Sequence, residues 1–347
     1  DEYLQFMYER LILMRELLTE DGSIYVHCDH GRDYLMRTLM DEIYGPDCYH
    51  NVISWKRSHA QGNSGQGAKH YGRTTDSIIV YSKMGDPVWN SQFIPYSEEI
   101  LARDYKHKDT KGQYRLMPVD GPGGAAKGNP HYSFLGVTGY WRYSKEKMQE
   151  LYDEGEIVLS STGKSLSRKK YLDDADGTPL TDFWDDANRI SPTSNERLDY
   201  PTQKPEVLLE RIIKTSSNQG DLVFDCFMGS GTTQAVAIKL GRRFLGADIN
   251  LGAIQTTTKR LLGLAKELQA APSELALNDT EKPSKLYTGL EVYTVNHYDF
   301  FRNELEAREL LIEALELQAL PGNMLWDGES DGWMVKILAV NRLATAA

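Results

Sequence analysis

Cysteine is scarce in this chain of 347 residues: Cys28, Cys48 and Cys226 are its only thiols. No two of them lie at metal-ligand spacing and three make no even framework, which argues against a structural zinc site and against a disulfide-stapled secreted fold. Long apolar runs are missing as well. None approaches the roughly 20 residues needed to span a bilayer, and the N-terminus lacks the basic, apolar and small-residue order of a signal peptide. A cytoplasmic protein with no membrane partner is the expectation. Positive charge is also in deficit: 39 Lys+Arg against 50 Asp+Glu leave a net charge of -11, which excludes a uniformly basic nucleic-acid binder. What is present, 40% hydrophobic and 26% charged residues, is the make-up of a globular chain and not of a collagenous or disordered one.

At a prior of roughly 100–200 residues per domain, this length predicts two globular units. The first residue is Asp1, and Leu4, Met7, Tyr8, Leu11, Met14 and Leu18 already show amphipathic helical spacing. The last apolar stretch, 334–340, reads as a strand close to Ala347. Both ends are therefore expected to be cut.

Charge is distributed unevenly. Residues 51–170 hold 18 Lys+Arg and 12 Asp+Glu, a local net of +6, so the rest of the chain carries -17. This basic middle interleaves aromatics with cations, as in Tyr105-Lys106-His107-Lys108, Tyr140-Trp141-Arg142-Tyr143 and Arg168-Lys169-Lys170-Tyr171. Phosphate contacts with bases stacked on aromatic faces would have this composition, and so would a solvated face over core aromatics.

Pattern divides the chain into blocks. In residues 1–87 a helix to about Leu18, a strand at 23–28, a helix at 32–43 and strands at 51–56 and 76–81 are predicted, with a polar, glycine-rich loop at 61–67. Residues 88–198 lack sustained periodicity and read as an irregular inserted region. Residues 199–269 alternate helix and strand: helices at 207–215, 232–240 and 253–268, strands at 222–226 and 243–248. That alternation predicts an α/β fold with a doubly wound parallel sheet. Residues 270–347 read as a polar linker and a C-terminal extension, with a helix at 304–317.

The stretch Asp225-Cys226-Phe227-Met228-Gly229-Ser230-Gly231-Thr232-Thr233 sits between an apolar strand and a helix. Glycines in such a turn let backbone N–H groups approach a ligand, and the helix N-terminus favours negative charge. Asp248 closes the next strand 23 residues after Asp225, where a carboxylate can accept hydrogen bonds from ribose hydroxyls. A dinucleotide fingerprint would place a third Gly near position 234, where Gln234 stands, and no Gly-Lys-Ser/Thr follows to cradle a triphosphate. An adenosyl ligand bearing a carboxylate and an amine fits better than a phosphate-rich one.

The segment 224–233 resembles the cofactor motif of S-adenosylmethionine-dependent DNA amino-methyltransferases. Tyr200-Pro201-Thr202-Gln203-Lys204-Pro205 is similar to the motif that precedes it in the class with permuted motif order, and residues 3–29 and 245–250 are similar to further segments of that class. The class includes modification subunits of type III restriction systems. The resemblance implies a Rossmann-like methyltransferase sheet, S-adenosyl-L-methionine as cofactor, and adenine in duplex DNA as target. It implies that Asp225 contacts the methionine amino group, that Asp248 contacts the ribose, and that Phe227, Gly229, Ser230, Gly231, Thr232, Gln203 and Lys204 complete the cofactor site. The basic middle block becomes the target-recognition region, with Lys106, Lys108, Arg142, Arg168, Lys169 and Lys170 as DNA contacts. Duplex DNA is the implied partner, a restriction subunit or a second methyltransferase copy is admitted, and the setting is prokaryotic.

The chain departs from the family at one point. The catalytic Asp/Asn/Ser-Pro-Pro-aromatic tetrapeptide occurs nowhere in it and is expected upstream of Asp1. Asn129-Pro130-His131-Tyr132 imitates it but lacks the second Pro and follows a glycine-rich loop. His27 and Asp29 close a strand at the expected functional edge, although a strand-end His is commonly structural. Asp182-Phe183-Trp184-Asp185-Asp186 reads as packing of Trp184 and otherwise as a cation chelate. Two other functions remain open to the residues alone: a non-catalytic nucleic-acid-binding or complex-forming module, and a nicotinamide-dependent oxidoreductase, which the missing third Gly disfavours.

Overall fold

The computed structural model describes residues 2–57, 69–191, 193–270, 283 and 285–295, and three short strands at 318–319, 328–330 and 333–335. Helix α1 (Glu2–Leu17) buries Met7 and Leu11 one turn apart. The Asp21-Gly22 turn leads into β1 (Ser23–Cys28), and α2 (Asp33–Tyr44) follows, burying Met36, Met40 and Tyr44 at four-residue spacing. Gly45, at φ 88°, adopts a conformation that side chains resist and donates its N–H to Asp41, so α2 stops there. Strands β2 (Tyr49–Lys56) and β3 (Thr75–Ser82) pair antiparallel. The expected loop at 61–67 lies outside the described residues.

The middle block is more regular than its sequence suggests. It contains β4 (Phe93–Ile94), α3 (Glu98–Asp104), β5 (His107–Asp109), β6 (Gly112–Pro118), β7 (His131–Phe134), β8 (Val137–Tyr140), α4 (Lys145–Asp153), β9 (Ile157–Leu159), β10 (Leu166–Tyr171), β11 (Thr178–Pro179) and β12 (Phe183–Trp184). A sheet in the order β5-β6-β10-β9 and helix α4 enclose their own core of Val119, Phe134, Trp141, Met148, Leu151, Ile157 and Leu166. Most of these strands have two to four residues, and the longer β6 and β10 carry no alternating burial, which is why the sequence reads as irregular. The N-caps of α3 and α4 are Ser97 and Ser144, whose hydroxyls accept the N–H of Ile100 and Lys147.

Regular alternation resumes with α5 (Glu206–Ser216), β13 (Leu222–Asp225), α6 (Thr232–Lys239), β14 (Arg243–Gly246) and α7 (Leu251–Ala270). β13 and β14 are parallel because α6 crosses between them. The sheet ordered β1-β3-β2-β12 is mixed: β12 runs parallel to β2, whereas the β2–β3 hairpin makes β3 antiparallel to both of its neighbours. Helices cover both faces of it. One face buries Met7, Leu11, Met36, Met40, Ile24, Ile79 and Tyr81; the other packs Ile53, Trp55, Ile78, Val80 and Trp184 against Leu208 of α5.

By internal contact the chain forms two units, Asp1–Thr288 and Gly289–Ala347. In the second, β15 (Gln318–Ala319), β16 (Gly328–Ser330) and β17 (Trp333–Val335) make an antiparallel sheet, so Met334 and Val335 are in a strand as expected. The helix expected at 304–317 and most of the linker lie outside the described residues. Among the described residues no helix is long and apolar enough to cross a membrane.

Asp109 ties β5 to β10. Its Oδ2 accepts from Lys169 Nζ at 2.7 Å and from the Tyr171 hydroxyl at 3.0 Å, and its Oδ1 accepts the Lys111 N–H. Lys169 is the chief reason that its pKa falls to about 2. A depressed carboxylate pKa contributes stability that is present above the ordinary value of 3.8 and lost as pH falls through about 2. Asp109→Asn should therefore lower Tm at pH 6, and thermal melts of the two proteins should converge near pH 2. A constant difference across that window would remove the ion pair as the cause.

Candidate functional site

The turn after β13 holds its glycines by contact as well as by conformation. Gly229 and Gly231 have φ 52° and 71°, in the left-handed region. A Cβ on Gly231 would come 2.5 Å from Thr257 Cγ2, and one on Gly229 would lie 3.2 Å from the Tyr200 ring. Thr257, on α7, also donates its hydroxyl to Gly229 O at 2.9 Å. Two carboxylates bracket the turn. Asp225 accepts from the Phe227 N–H (3.0 Å) and the Thr233 hydroxyl (2.6 Å), while Asp248 accepts from the Gly229 N–H (2.9 Å) and the Asn250 N–H (2.8 Å). Each of the four oxygens keeps capacity for a further donor from a ligand.

Gln234 occupies the place of the third glycine. It is buried, donates its amide to Leu245 O at 3.2 Å, and would stand 2.8 Å from a Cβ on Gly246. Ser230 and Thr232 are buried within the turn, whereas Phe227 is half exposed with its ring 6.4 Å from that of Phe6. Lys204 joins the turn through its carbonyl, which accepts from the Thr232 hydroxyl at 3.3 Å. Burial lowers the pKa of its ammonium, while Asp76 and Asp225 both act on it in the opposite sense. Gln203 is engaged elsewhere: its carbonyl oxygen accepts the Leu198 N–H and its amide donates to Glu196 O.

Several residues that build this site were not singled out from the sequence. Glu206 on α5 accepts from Lys239 of α6 at 2.5 Å and from Arg260 of α7 at 2.9 Å. Arg260 in turn donates to Ser230 O at 3.1 Å and Thr232 Oγ1 at 3.0 Å. Three helices thus grip the turn from behind. The only local signal was the spacing of Thr257 and Arg260, which puts both on one face of α7.

The expected DNA contacts are dispersed. Lys106, Lys108 and Arg142 are exposed, Arg142 donating Nε to Asp120 O at 3.0 Å. Strand alternation separates Arg168 and Lys170 from Lys169, so the three form no continuous patch. Arg168 bonds Glu156 at 2.9 Å and the Tyr143 hydroxyl at 3.2 Å, Lys169 bonds Asp109, and Lys170 is half-buried. Tyr105 and Trp141 are fully buried, so the aromatics beside these cations are in good part core. The Asn129 amide donates to Pro122 O and Gly124 O, and the Tyr132 hydroxyl donates to Tyr143 O; both residues brace a loop. Trp184 packs in the core and Asp186 pairs with Arg211, which is the packing reading of that stretch.

These elements define an α/β protein whose glycine turn after β13 is bracketed by two carboxylates. The model for the N6/N4 methyltransferase family, described as DNA methylase, matches residues 1–259, and the chain belongs to that family. Type II methyltransferase M.EcaI of Enterobacter cloacae is 35% identical over 321 residues, covering 91% of this chain and 70% of that protein. The Mod subunit of the type III restriction-modification enzyme StyLTI of Salmonella typhimurium is 28% identical over 253 residues, covering 69% of this chain but 38% of the subunit. Among solved structures, the M1.HpyAVI–SAM complex matches with 17% identity and a TM-score of 0.41 over 75% of this chain and 84% of that one. S-adenosylmethionine is the methyl donor of the family. The turn fits it: a Cβ at Gly231 would collide with Thr257, one at Gly229 would press on the Tyr200 ring, and two carboxylates flank the turn.

Gly231→Ala should weaken S-adenosylmethionine binding at least tenfold, because the methyl group must displace Thr257 and strain a left-handed residue. Arg260→Met should weaken it while also lowering Tm, since Glu206 loses a partner. Calorimetry with wild-type affinity in both variants would detach the turn from the cofactor.

Proposed function

We propose that this chain is the cofactor-holding and target-recognition part of a site-specific DNA adenine methyltransferase of restriction-modification type. It works in the cytoplasm of a prokaryote beside a restriction subunit or a second methyltransferase copy, and residues preceding Asp1 carry the catalytic tetrapeptide. The observation that supports this reading most is the pair of open strand edges beside the cofactor turn. Among the described residues β1 pairs only with β3 and β13 only with β14. Alternate residues of the β13–β14 pair, Val223 and Phe244, pack under α6, leaving Leu222, Phe224 and Leu245 exposed on the opposite face. Phe6, Leu13 and Leu17 of α1 are exposed too, and Phe6 reaches Phe227 of the turn. A further strand with apolar cover would satisfy these edges and faces together.

An exocyclic amino group is a poor nucleophile because its lone pair is delocalised into the ring. S-adenosylmethionine, when bound, supplies an electrophilic methyl group on its sulfonium. Asp225 is placed to receive the methionine ammonium and Asp248 the ribose hydroxyls, which fixes the direction in which the methyl group points. Catalysis is then chiefly positioning, with acceptors on the tetrapeptide holding the amino group in line. The base must leave the helix to be reached, and the middle block, through exposed cations such as Lys106, Lys108 and Arg142, is the proposed contact with the duplex. Adenine as target rests on the family resemblance.

Asp248→Ala should weaken S-adenosylmethionine binding by about 1.5–3 kcal/mol, the size of a charge-assisted hydrogen bond, as read by calorimetry. Equal affinities would sink the role of Asp248. In assays of labelled methyl transfer to unmethylated genomic DNA, the 347-residue chain should be inactive, and the chain extended by its upstream coding sequence should be active. Robust transfer by the 347-residue chain, abolished by Asn129→Ala, would overturn the assignment of the chemistry to preceding residues. Inactivity of both chains would favour a non-catalytic binding module.

A further inference from the structure

Across β5, β6 and β10 the register sorts charge by face. Lys108 stands opposite Gln113, and Lys170 stands opposite Arg115, two residues further along β6. Side chains two apart on a strand share a face, so Lys108, Gln113, Arg115 and Lys170 lie on one side of this sheet and their chain neighbours on the other. The second side carries the acids: Asp109 accepts from Lys169 and Tyr171, and a Cβ on Gly112 would stand 3.5 Å from Asp173 Oδ2. On the first side Arg168, opposite Met117, is taken by Glu156 at 2.9 Å. Arg115 and Lys170 have no carboxylate partner among the described residues. Asp104, the acid just before β5, is held by Arg103 at 2.8 and 3.0 Å.

Like charges directly opposite each other across a ladder weaken it, so the Arg115–Lys170 pair costs the sheet stability. The guanidinium is held by rings in place of an acid. Its carbon lies 5.3 Å from the centroid of Tyr105, which is fully buried, and 5.8 Å from that of Tyr96. Its Nε is shut off from water and has no hydrogen-bond partner. Both cations are half-buried, whereas Lys108 and Lys106 are exposed beside them.

We propose that Lys108, Arg115 and Lys170 form a phosphate-binding stripe that grips the backbone of the target duplex. This deepens the target-recognition reading and rests on it. Charge complementarity selects the occupant: three cations on adjacent strands span about 10 Å at the ordinary strand spacing, with no acid paired to Arg115 or Lys170, and this suits a run of phosphates. Arg115, held against its rings, presents a fixed positive charge to a phosphate, and the anion relieves the repulsion between Arg115 and Lys170. Contacts of this kind orient the duplex without reading its sequence.

The test is fluorescence anisotropy of a labelled, unmethylated DNA duplex with the full-length enzyme, residues before Asp1 included, from about 50 to about 300 mM salt. Arg115→Gln and Lys170→Gln should each weaken binding at least fivefold at about 100 mM salt and reduce the slope of log affinity against log salt by about 0.9. Lys164→Gln, the same loss of charge in the exposed turn between β9 and β10, should leave affinity within twofold and the slope unchanged. Without DNA, Lys170→Gln should melt no lower than wild type, because it relieves a like-charge pair; it separates a lost contact from lost folding and decides the matter should Arg115→Gln fail to fold. Inorganic phosphate at matched ionic strength should not displace the duplex, and displacement would overturn the duplex as occupant in favour of a free anion. Wild-type binding with unaltered slopes in both stripe variants, or an equal loss in Lys164→Gln, would overturn the stripe and leave the target-recognition reading standing. No duplex binding by wild type would overturn both.

Discussion

Glu206 is the carboxylate on which the cofactor half of the molecule depends. It sits at the start of α5, and its two oxygens take a cation each from α6 and α7, with all three side chains largely withdrawn from water. Charges buried to this degree cost several kcal/mol in lost hydration, a cost offset only when geometry and hydrogen bonding are complete. Here they are complete, because Arg260 extends the network to Ser230 and Thr232 of the turn and Glu196 accepts the Glu206 N–H. The turn is therefore held by three helices as well as by its own glycines. A site built on rigid elements in this manner can hold a ligand's atoms in one direction, which is what in-line methyl transfer requires.

The second junction is Lys204. Its ammonium is desolvated and lies under the influence of Asp76 near the start of β3 and of Asp225 at the end of β13. Asp76 near the start of β3 and Asp225 at the end of β13 thus act on one ammonium. Strand ends of this kind are where open α/β sheets bind ligands, since backbone groups there lack partners and loops can diverge. Asp76 and Asp225 lie 149 positions apart in the chain.

The middle block shows why a count of charges is a poor guide to a surface. Its net of +6 is real. Yet Arg168 and Lys169 are consumed by Glu156 and Asp109, and the neighbouring rings of Trp141 and Tyr105 fill the interior. In a small sheet of short strands, ion pairs and aromatic packing must supply much of the cohesion, so residue types that elsewhere bind phosphate serve here to hold strands together.

The sequence by itself determined the local elements and the strand–glycine–helix turn after β13. Both depend on near neighbours: the apolar spacing of Met36, Met40 and Tyr44, the stop at Gly45, and the strand–glycine–helix order around Asp225 were all legible within a few residues. Tertiary structure alone decided which distant side chains complete the site. Thr257, Glu206 and Arg260 meet the turn only when α5 and α7 pack against α6, and His27 meets Asp76 only through the β1–β3 register. It also decided which cations of the middle block remain free, because strand alternation and acidic partners far along the chain set their exposure. No local pattern encodes such pairings; burial and hydrogen-bond geometry across the fold do.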